Sequence, residues 1–176
     1  GLRYGRRLGC DTVVRIDGDG QHPVHEIARL LAPIRAGQAD AVQGSRYVGT
    51  RDRAASTVHD AGRRALGTLL SLVTREGVTD PTSGFWAFGP RAVRLLAEHH
   101  PTGYPEPELR LLLWRNGLRV VEVPVRMRPR LAGRTSLTWS RASLALARAA
   151  LATVVVPLRP GVVERDPAVR TACSAP

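Results

Sequence analysis

Short β-branched runs alternate along this chain with longer segments whose apolar residues recur at helical spacing. The first run, residues 10–16 (CDTVVRI), is typical of a buried strand and ends at a turn-prone stretch. The next segment, 24–36, has helical periodicity and is followed by Gly37, a favourable C-cap. This alternation predicts an α/β fold, in which ligands bind beyond the carboxyl ends of the strands.

The remaining elements follow from the same patterns. Further strands are predicted at 40–44, 85–88 and 118–125, and further helices at 2–8, 58–75, from Pro90 onward and at 106–116. As domains, we expect a catalytic domain at 1–136, a C-terminal amphipathic helix at 137–159 and a disordered tail at 160–176.

The charge of the chain indicates an anionic partner. Its 176 residues include 26 basic residues, all arginine, against 15 acidic ones, for a net charge of +11. This excess fits phosphates, nucleic acid or anionic lipid and does not choose among them. Two cysteines, Cys10 and Cys173, lack CxxC or metal-ligand spacing, which favours a reducing compartment. No apolar run reaches the ~20 residues of a membrane span, so we expect a soluble or peripheral protein.

Two carboxylates, Asp17 and Asp19, directly follow the first predicted strand in the motif DGDGQHP (17–23). Such oxygen ligands suit Mg²⁺ or Mn²⁺ bridging a diphosphate, and the neighbouring glycines allow the backbone to approach a bulky anion. A solvated Asp-Gly turn is the alternative. An EF-hand is excluded, because its twelfth position would be Ala28 rather than glutamate.

Further motifs follow in a fixed order. They are GSRY (44–47), TDPTSGF (79–85), YPE (104–106), EVPV (122–125), and Arg130 with Gly133, Thr135 and Ser136. With the acidic loop, they resemble the dolichyl- and polyprenyl-phosphate sugar transferases of glycosyltransferase family 2, over nearly all of residues 2–159. The resemblance implies the GT-A fold, a Rossmann-like three-layer sandwich with a mixed, mostly parallel sheet.

The resemblance also implies an enzyme and its site. The enzyme would be a hexosyltransferase that moves a sugar from a nucleotide diphosphate sugar to a polyprenyl phosphate or a related cell-envelope acceptor. The donor and its Mg²⁺ or Mn²⁺ would be held by Asp17, Asp19 and Gln21, while Asp80 and the backbone of Ser83 and Gly84 would face the donor sugar. For 79–84, the alternative is a simple β-turn before a strand.

On the acceptor side, the resemblance assigns arginines to the lipid phosphate. These are Arg46, Arg64 and Arg130, with the Thr68 hydroxyl one helical turn after Arg64. The sequence does not decide whether Arg63 or Arg64 matches the helix arginine of the family, and either could be a solvated surface charge. Glu106 is a weaker candidate, because a carboxylate at a helix N-terminus can simply interact with the helix dipole.

The expected mechanism depends on the acceptor. A lipid phosphate is already ionised near neutral pH, so a single inverting displacement needs no general base. Positioning and metal neutralisation of the departing diphosphate would then supply most of the rate enhancement. A hydroxyl acceptor would require a base, for which we nominate Asp80, with His22 beside the metal loop as a weaker candidate.

One departure from the family pattern concerns the start of the chain. Relatives begin with an apolar strand and an Asn-Glu pair, whereas this chain begins at Gly1 in what is predicted to be the tail of a helix. We therefore expect an N-terminally truncated chain that binds nucleotide sugar weakly and whose own activity is doubtful. We expect it in the cytoplasm, peripheral at the anionic inner face of the cell membrane.

Two other functions remain open on the sequence alone. The net charge would also suit a nucleic-acid-binding module, although helix-turn-helix, zinc-finger and RNP motifs are missing, so no nucleic acid is expected. An inactive transferase remnant acting as a membrane-surface scaffold is the third possibility. The segment 137–158, with Arg141 and Arg148 on one side, fits either a membrane interface or a helix docked on protein.

Overall fold

The computed structural model describes residues 1–49, 58–100, 105–128 and 151. Its helices are α1 (Leu2–Arg7), α2 (Ile27–Arg35), α3 (Val58–Thr74), α4 (Pro90–His99) and α5 (Pro105–Arg115). Its strands are β1 (Val13–Arg15), β2 (Ala41–Ser45), β3 (Trp86–Phe88) and β4 (Val120–Pro124), and a 3₁₀ turn, Val24–Glu26, leads into α2. Each helix and strand that the sequence predicts between residues 2 and 125 is present within a few residues.

The strands of the described part of the chain form one mixed sheet in the order β1-β3-β2-β4. Strand β3 pairs antiparallel with both β1 and β2, whereas β2 and β4 pair in parallel. Three strands therefore share one direction and β3 opposes them. Because β3 is reversed, the loop that precedes it reaches the same edge of the sheet as the carboxyl ends of β1, β2 and β4.

Helices cover both faces of the sheet, which confirms the predicted three-layer arrangement. On one face, Leu30 of α2 packs with Val42, Ala87 and Val125. On the other, α4 and α5 pack against side chains of alternating strand positions, namely Ala41, Trp86, Phe88 and Val120. Helix α3 then packs on the outside of α5, where Leu66 and Leu70 meet Leu111. The period-2 alternation of each strand thus gives apolar side chains to both layers.

Glycine ends two of the helices as predicted. Gly37 follows α2 with φ 67° and Gly117 follows α5 with φ 68°. This left-handed conformation costs glycine little because it lacks a Cβ. Pro90 occupies the first turn of α4, where its missing N–H leaves no intrahelical bond unmade.

A third glycine allows α3 to approach the loop before β3. A Cβ added at Gly67 would lie 2.8 Å from the carbonyl oxygen of Val78. We expect Gly67→Ala to lower the free energy of unfolding, because overpacking costs about 1–3 kcal/mol and alanine's helix propensity returns only about 1 kcal/mol. Urea denaturation measures the change. Gly77→Ala, with open space around its Cβ, is the matched control and should stay near wild type.

Two expectations concern regions beyond this fold. Within the described residues, no helix is long and apolar enough to cross a membrane. The C-terminal segments predicted at 137–159 and 160–176 lie outside the described residues except for Leu151. Their predicted structures stay predictions.

Candidate functional site

The acidic loop after β1 lies against the turn that precedes β3. The Asp17 side chain is 53% exposed, and a Cβ added at Gly84 would lie 2.8 Å from its Oδ2. Asp19 Oδ1 accepts a hydrogen bond from the Gln21 amide at 3.1 Å, which closes a tight turn. The two motifs, 67 residues apart between Asp17 and Gly84, therefore meet at one edge of the sheet. Only glycine at position 84 allows this close approach of the carboxylate.

His22 holds the backbone of the acidic loop. Its Nδ1 accepts a hydrogen bond from the Asp17 amide at 3.0 Å, and its Nε2 lies 3.8 Å from Asp17 Oδ2. The buried ring stacks on Phe85 with centroids 4.7 Å apart. Burial lowers the pKa of His22, and the nearby Asp17 and Asp19 only partly oppose this. The imidazole is therefore neutral at pH 7 and acts as an acceptor toward the loop.

The lowered pKa of His22 makes stability depend on pH. The unfolded chain takes up a proton at His22 near its ordinary pKa of 6.5, above the pKa in the folded chain. The free energy of unfolding therefore rises as pH rises through the range between the folded and unfolded pKa values of His22. It falls as pH is lowered through the same range. We expect the free energy of unfolding to drop between about pH 7.5 and about pH 5.5, and His22→Phe to flatten this dependence. The exposed His99→Phe should leave the dependence unchanged, and an equal flattening there would contradict the assignment.

Asp80 and Arg46 form the second part of the site. The fully buried Asp80 carboxylate accepts two bonds from the Arg46 guanidinium, Nε to Oδ2 at 2.8 Å and Nη2 to Oδ1 at 3.0 Å. The Arg46 amide also donates to Oδ2 at 3.3 Å. This pairing is the main reason why the pKa of Arg46 is raised. The carboxylate nominated as a base for a hydroxyl acceptor thus binds and orients an arginine, and its role as a base stays a prediction.

A second arginine reaches the same region from α3. The guanidinium carbon of Arg63 lies 3.6 Å from the ring centroid of Tyr47, and Nη1 donates to the Thr79 carbonyl at 2.7 Å. The guanidinium carbon of Arg46 lies 5.4 Å from the same ring. The helix register thus brings Arg63 to this cluster. Arg64 is half-buried at the next position and Thr68 is exposed.

Ser83 joins the turn before β3 to strand β2. Its Oγ donates to the Gly44 carbonyl at 2.6 Å, and its own carbonyl accepts from Gln43 Nε2 and Trp86 Nε1, each at 2.9 Å. Ser83 is almost completely buried. The predicted donor contact at Ser83 stays a prediction, and the structure places this residue in the support of the turn.

Arg15 connects the acidic loop to α5. Its Nη2 lies 2.9 Å from Glu106 Oε1, and its Nε donates to the Gly84 carbonyl at 3.1 Å. Burial raises the pKa of the Glu106 carboxyl, Arg15 opposes that rise, and Asp17 adds to it. Sequence reasoning missed Arg15. The available signal was a charged residue inside a β-branched run, two positions before Asp17.

The described residues offer few side chains that could bind a cation. Among the described residues, no three His, Cys, Asp or Glu side chains are arranged to hold a metal ion. Asp17 and Asp19 offer hard oxygen ligands at an open loop, which suits an ion that completes its shell with phosphate oxygens and water. Arg130, assigned to the acceptor phosphate, lies outside the described residues, as do Tyr104, Gly133, Thr135 and Ser136.

Sequence comparison identifies relatives of this chain. It is 30% identical over 129 residues to the UDP-N-acetylglucosamine–dolichyl-phosphate N-acetylglucosaminyltransferase of Methanococcus voltae, covering 72% of this chain and 51% of that protein. It is 31% identical over 155 residues to the polyprenol monophosphomannose synthase of Mycolicibacterium smegmatis, covering 83% and 56%. The chain thus spans about half the length of these curated relatives. A scan against models of known protein families gives no match.

Structural comparison agrees at the level of the fold. Glucosyl-3-phosphoglycerate synthase from Mycobacterium tuberculosis, crystallised with phosphoglyceric acid, superposes with a TM-score of 0.58 at 19% sequence identity. The match covers 86% of this chain and 51% of that one. It confirms the predicted fold class.

Proposed function

We propose that this chain, a homologue of the dolichyl- and polyprenyl-phosphate glycosyltransferases with the GT-A fold, is part of a metal-dependent inverting glycosyltransferase. The enzyme moves a sugar from a nucleotide diphosphate sugar to a polyprenyl phosphate or related cell-envelope acceptor. One observation carries the proposal. The turn at 79–84 contacts the acidic loop through Gly84 and holds Arg46 through Asp80, so the proposed cation ligands and the proposed phosphate-binding arginine flank one turn.

On the donor side, Asp17 and Asp19 would hold Mg²⁺ or Mn²⁺ with the help of Gln21. The ion supplies neutralisation of the negative charge that develops on the departing diphosphate. Three features of this chain support such a site: the exposed Asp17 carboxylate, the close approach that Gly84 allows, and the His22 bond to the Asp17 amide. The His22 bond and the space at Gly84 fix the position of the carboxylate, and its exposure leaves it accessible to an ion.

On the acceptor side, the arginines would bind the lipid phosphate. The bonds to Asp80 use Nε and Nη2 of Arg46, and 39% of its side chain is exposed, so an anion can approach the guanidinium. The buried Nε of Arg63 has no hydrogen-bond partner among the described residues. Arg64, Thr68 and Arg130 remain proposed members of this pocket. Because a phosphate is a ready nucleophile, no base is required.

The acceptor also sets the place of the reaction. A polyprenyl phosphate keeps its chain in a bilayer, so the enzyme works as a peripheral protein at the inner face of the cell membrane. The net charge of +11 favours an anionic surface.

The test is sugar transfer by the complete gene product that contains this chain. Radiolabelled nucleotide sugars are offered with polyprenyl phosphate in vesicles, and label is counted in the lipid extract. We expect lipid-linked sugar that requires Mg²⁺ or Mn²⁺ and is lost in Asp19→Ala, whereas the exposed Asp11→Ala retains activity. Failure with every donor, or transfer by Asp19→Ala at the wild-type rate, would refute the proposal.

Gly84→Ala tests the contact between the loop and the turn. The new Cβ would lie 2.8–3.0 Å from the Asp17 oxygens and would push the carboxylate from its position. A misplacement of about 1 Å can lower turnover by about 10²-fold. We expect the transfer rate to fall by roughly that factor with little loss of folded protein. Gly77→Ala is the control, and an active Gly84→Ala enzyme would show that Asp17 does not need its observed position.

A further inference from the structure

The EVPV motif has no part in the proposed chemistry, yet its glutamate is buried directly beneath the site. Glu122 lies in the middle of β4, opposite Gln43 of β2, and its side chain is 4% exposed. The carboxylate accepts from the Thr79 amide at 3.0 and 3.1 Å and from Thr79 Oγ1 at 2.5 Å. It also accepts from Arg110 Nη1 at 3.1 Å. A buried charge is costly unless it is paired in this way.

These bonds connect Glu122 to Arg46 through the turn. The Asp80 amide lies 3.4 Å from Glu122 Oε1, and the Asp80 carboxylate holds the Arg46 guanidinium by two bonds. Thr79 Oγ1 also lies 2.6 Å from Ser45 Oγ, which in turn accepts from the amide of Tyr47. The orientation of Arg46 thus depends on the backbone of 79–80, and both amides of that backbone donate to the Glu122 carboxylate.

We propose that Glu122 is a positioning residue of the acceptor-phosphate pocket. It touches no substrate and acts through Thr79 and Asp80, whose placement aims Arg46 at the incoming phosphate. A carboxylate suits this place, because the Thr79 amide donates to both of its oxygens and the Asp80 amide, the Thr79 hydroxyl and the Arg110 guanidinium donate to it as well. A carboxamide would turn an NH₂ group toward one of them. The assignment to the acceptor rests on the proposed function, whereas the coupling of Glu122 to Arg46 does not.

The coupling is tested on this chain by NMR. The Nε–H signal of Arg46 reports its bond to Asp80, and we compare it in wild type, Glu122→Gln and the matched control Glu98→Gln. Glu98 is an exposed carboxylate paired with Arg6 on the α1–α4 side. We expect the Arg46 signal to shift or broaden in Glu122→Gln and to stay in place in Glu98→Gln. An unmoved Arg46 signal in folded Glu122→Gln would overturn the proposal.

A second variant covers the case in which Glu122→Gln does not fold. Thr79→Val removes the Oγ1 contacts with Glu122 and Ser45 and keeps the shape and the amide of residue 79. We expect it to move the Arg46 signal in the same direction by a smaller amount. If Glu122→Gln is unfolded and Thr79→Val leaves the signal unchanged, the proposal fails.

Kinetics of the complete gene product separate positioning from general damage. We expect Glu122→Gln to raise KM for polyprenyl phosphate about tenfold, the effect of a weakened bond to a charged group, and to leave KM for the donor unchanged. Equal increases in KM for both substrates would indicate damage to the whole domain and would contradict the positioning role of Glu122. If the wild type transfers no sugar, the proposed function fails, while the Arg46 signal still decides the coupling.

Discussion

Replacing Asp17 by asparagine should lower kcat/KM for sugar transfer by about 10²–10³-fold, the usual effect of removing one group that stabilises charge in a transition state. The substitution keeps the shape of the side chain and removes the negative charge that would hold the cation. The Asp17 amide still donates to His22, so the loop keeps its backbone. The measurement is the rate of lipid-linked sugar formation by the complete gene product as a function of donor and Mn²⁺ concentration.

The control for Asp17→Asn is Asp11→Asn, the same chemical change at an exposed position before β1. Its rate should match wild type. Because the Asp17 side chain is half exposed, its neutralisation should change the unfolding midpoint little. A transfer rate within a few-fold of wild type would exclude Asp17 from the reaction, and unfolding would instead indicate a structural role.

Arg110→Leu should lower the free energy of unfolding by about 3–5 kcal/mol, since removing one member of a buried ion pair leaves the other charge unpaired. Arg110 of α5 is 2% exposed at its side chain and donates from Nη1 to both Glu122 and Gln43. Its Nη2 lies 3.8 Å from Glu76, whose pKa is raised mainly by burial. Leucine would leave the Glu122 carboxylate buried without a cation.

Urea denaturation of the isolated chain measures this loss. The control is Arg94→Leu, an arginine on the exposed side of α4, which should unfold near the wild-type midpoint. Equal stability of Arg110→Leu and Arg94→Leu would mean that the buried network contributes no net stability.

The network around Glu122 also explains how Arg46, a loop residue, is held in place for the phosphate that we propose it binds. A solvated arginine would lose side-chain entropy on binding. Arg46 has lost much of it already, because Asp80 holds two of its nitrogens and Tyr47 lies beside it. The buried carboxylates thus prepare the arginine for its proposed ligand.

The sequence predicted the parts of this fold that depend on neighbouring residues. The strands and helices follow from periods of 2 and 3.6, and the helix ends from Gly37, Pro90 and Gly117. The resemblance to the family implied that the acidic loop and the turn at 79–84 belong to one site. The structure brings them together, and it adds Arg15 to the same edge of the sheet.

Contacts between distant residues could not be predicted in this way. Asp80 is the partner of Arg46, which lies 34 positions away in the sequence, and Glu122 supports Thr79, which lies 43 positions away. Adjacent helical residues differ by about 100° around the axis, so only the docking of α3 selects Arg63 over Arg64 for the contact with Tyr47. The direction of β3 could not be predicted either, because a period-2 pattern is the same in both directions.

The sequence by itself determined which segments become strands and helices and which loops carry carboxylates and arginines, because these depend on local periodicity, turn chemistry and side-chain type. Only the tertiary structure decided that Asp80 orients Arg46, that Glu122 supports the turn, and that β3 opposes its neighbours. Those outcomes depend on how separate segments pack and on which buried charged groups form pairs. No local sequence pattern contains that information.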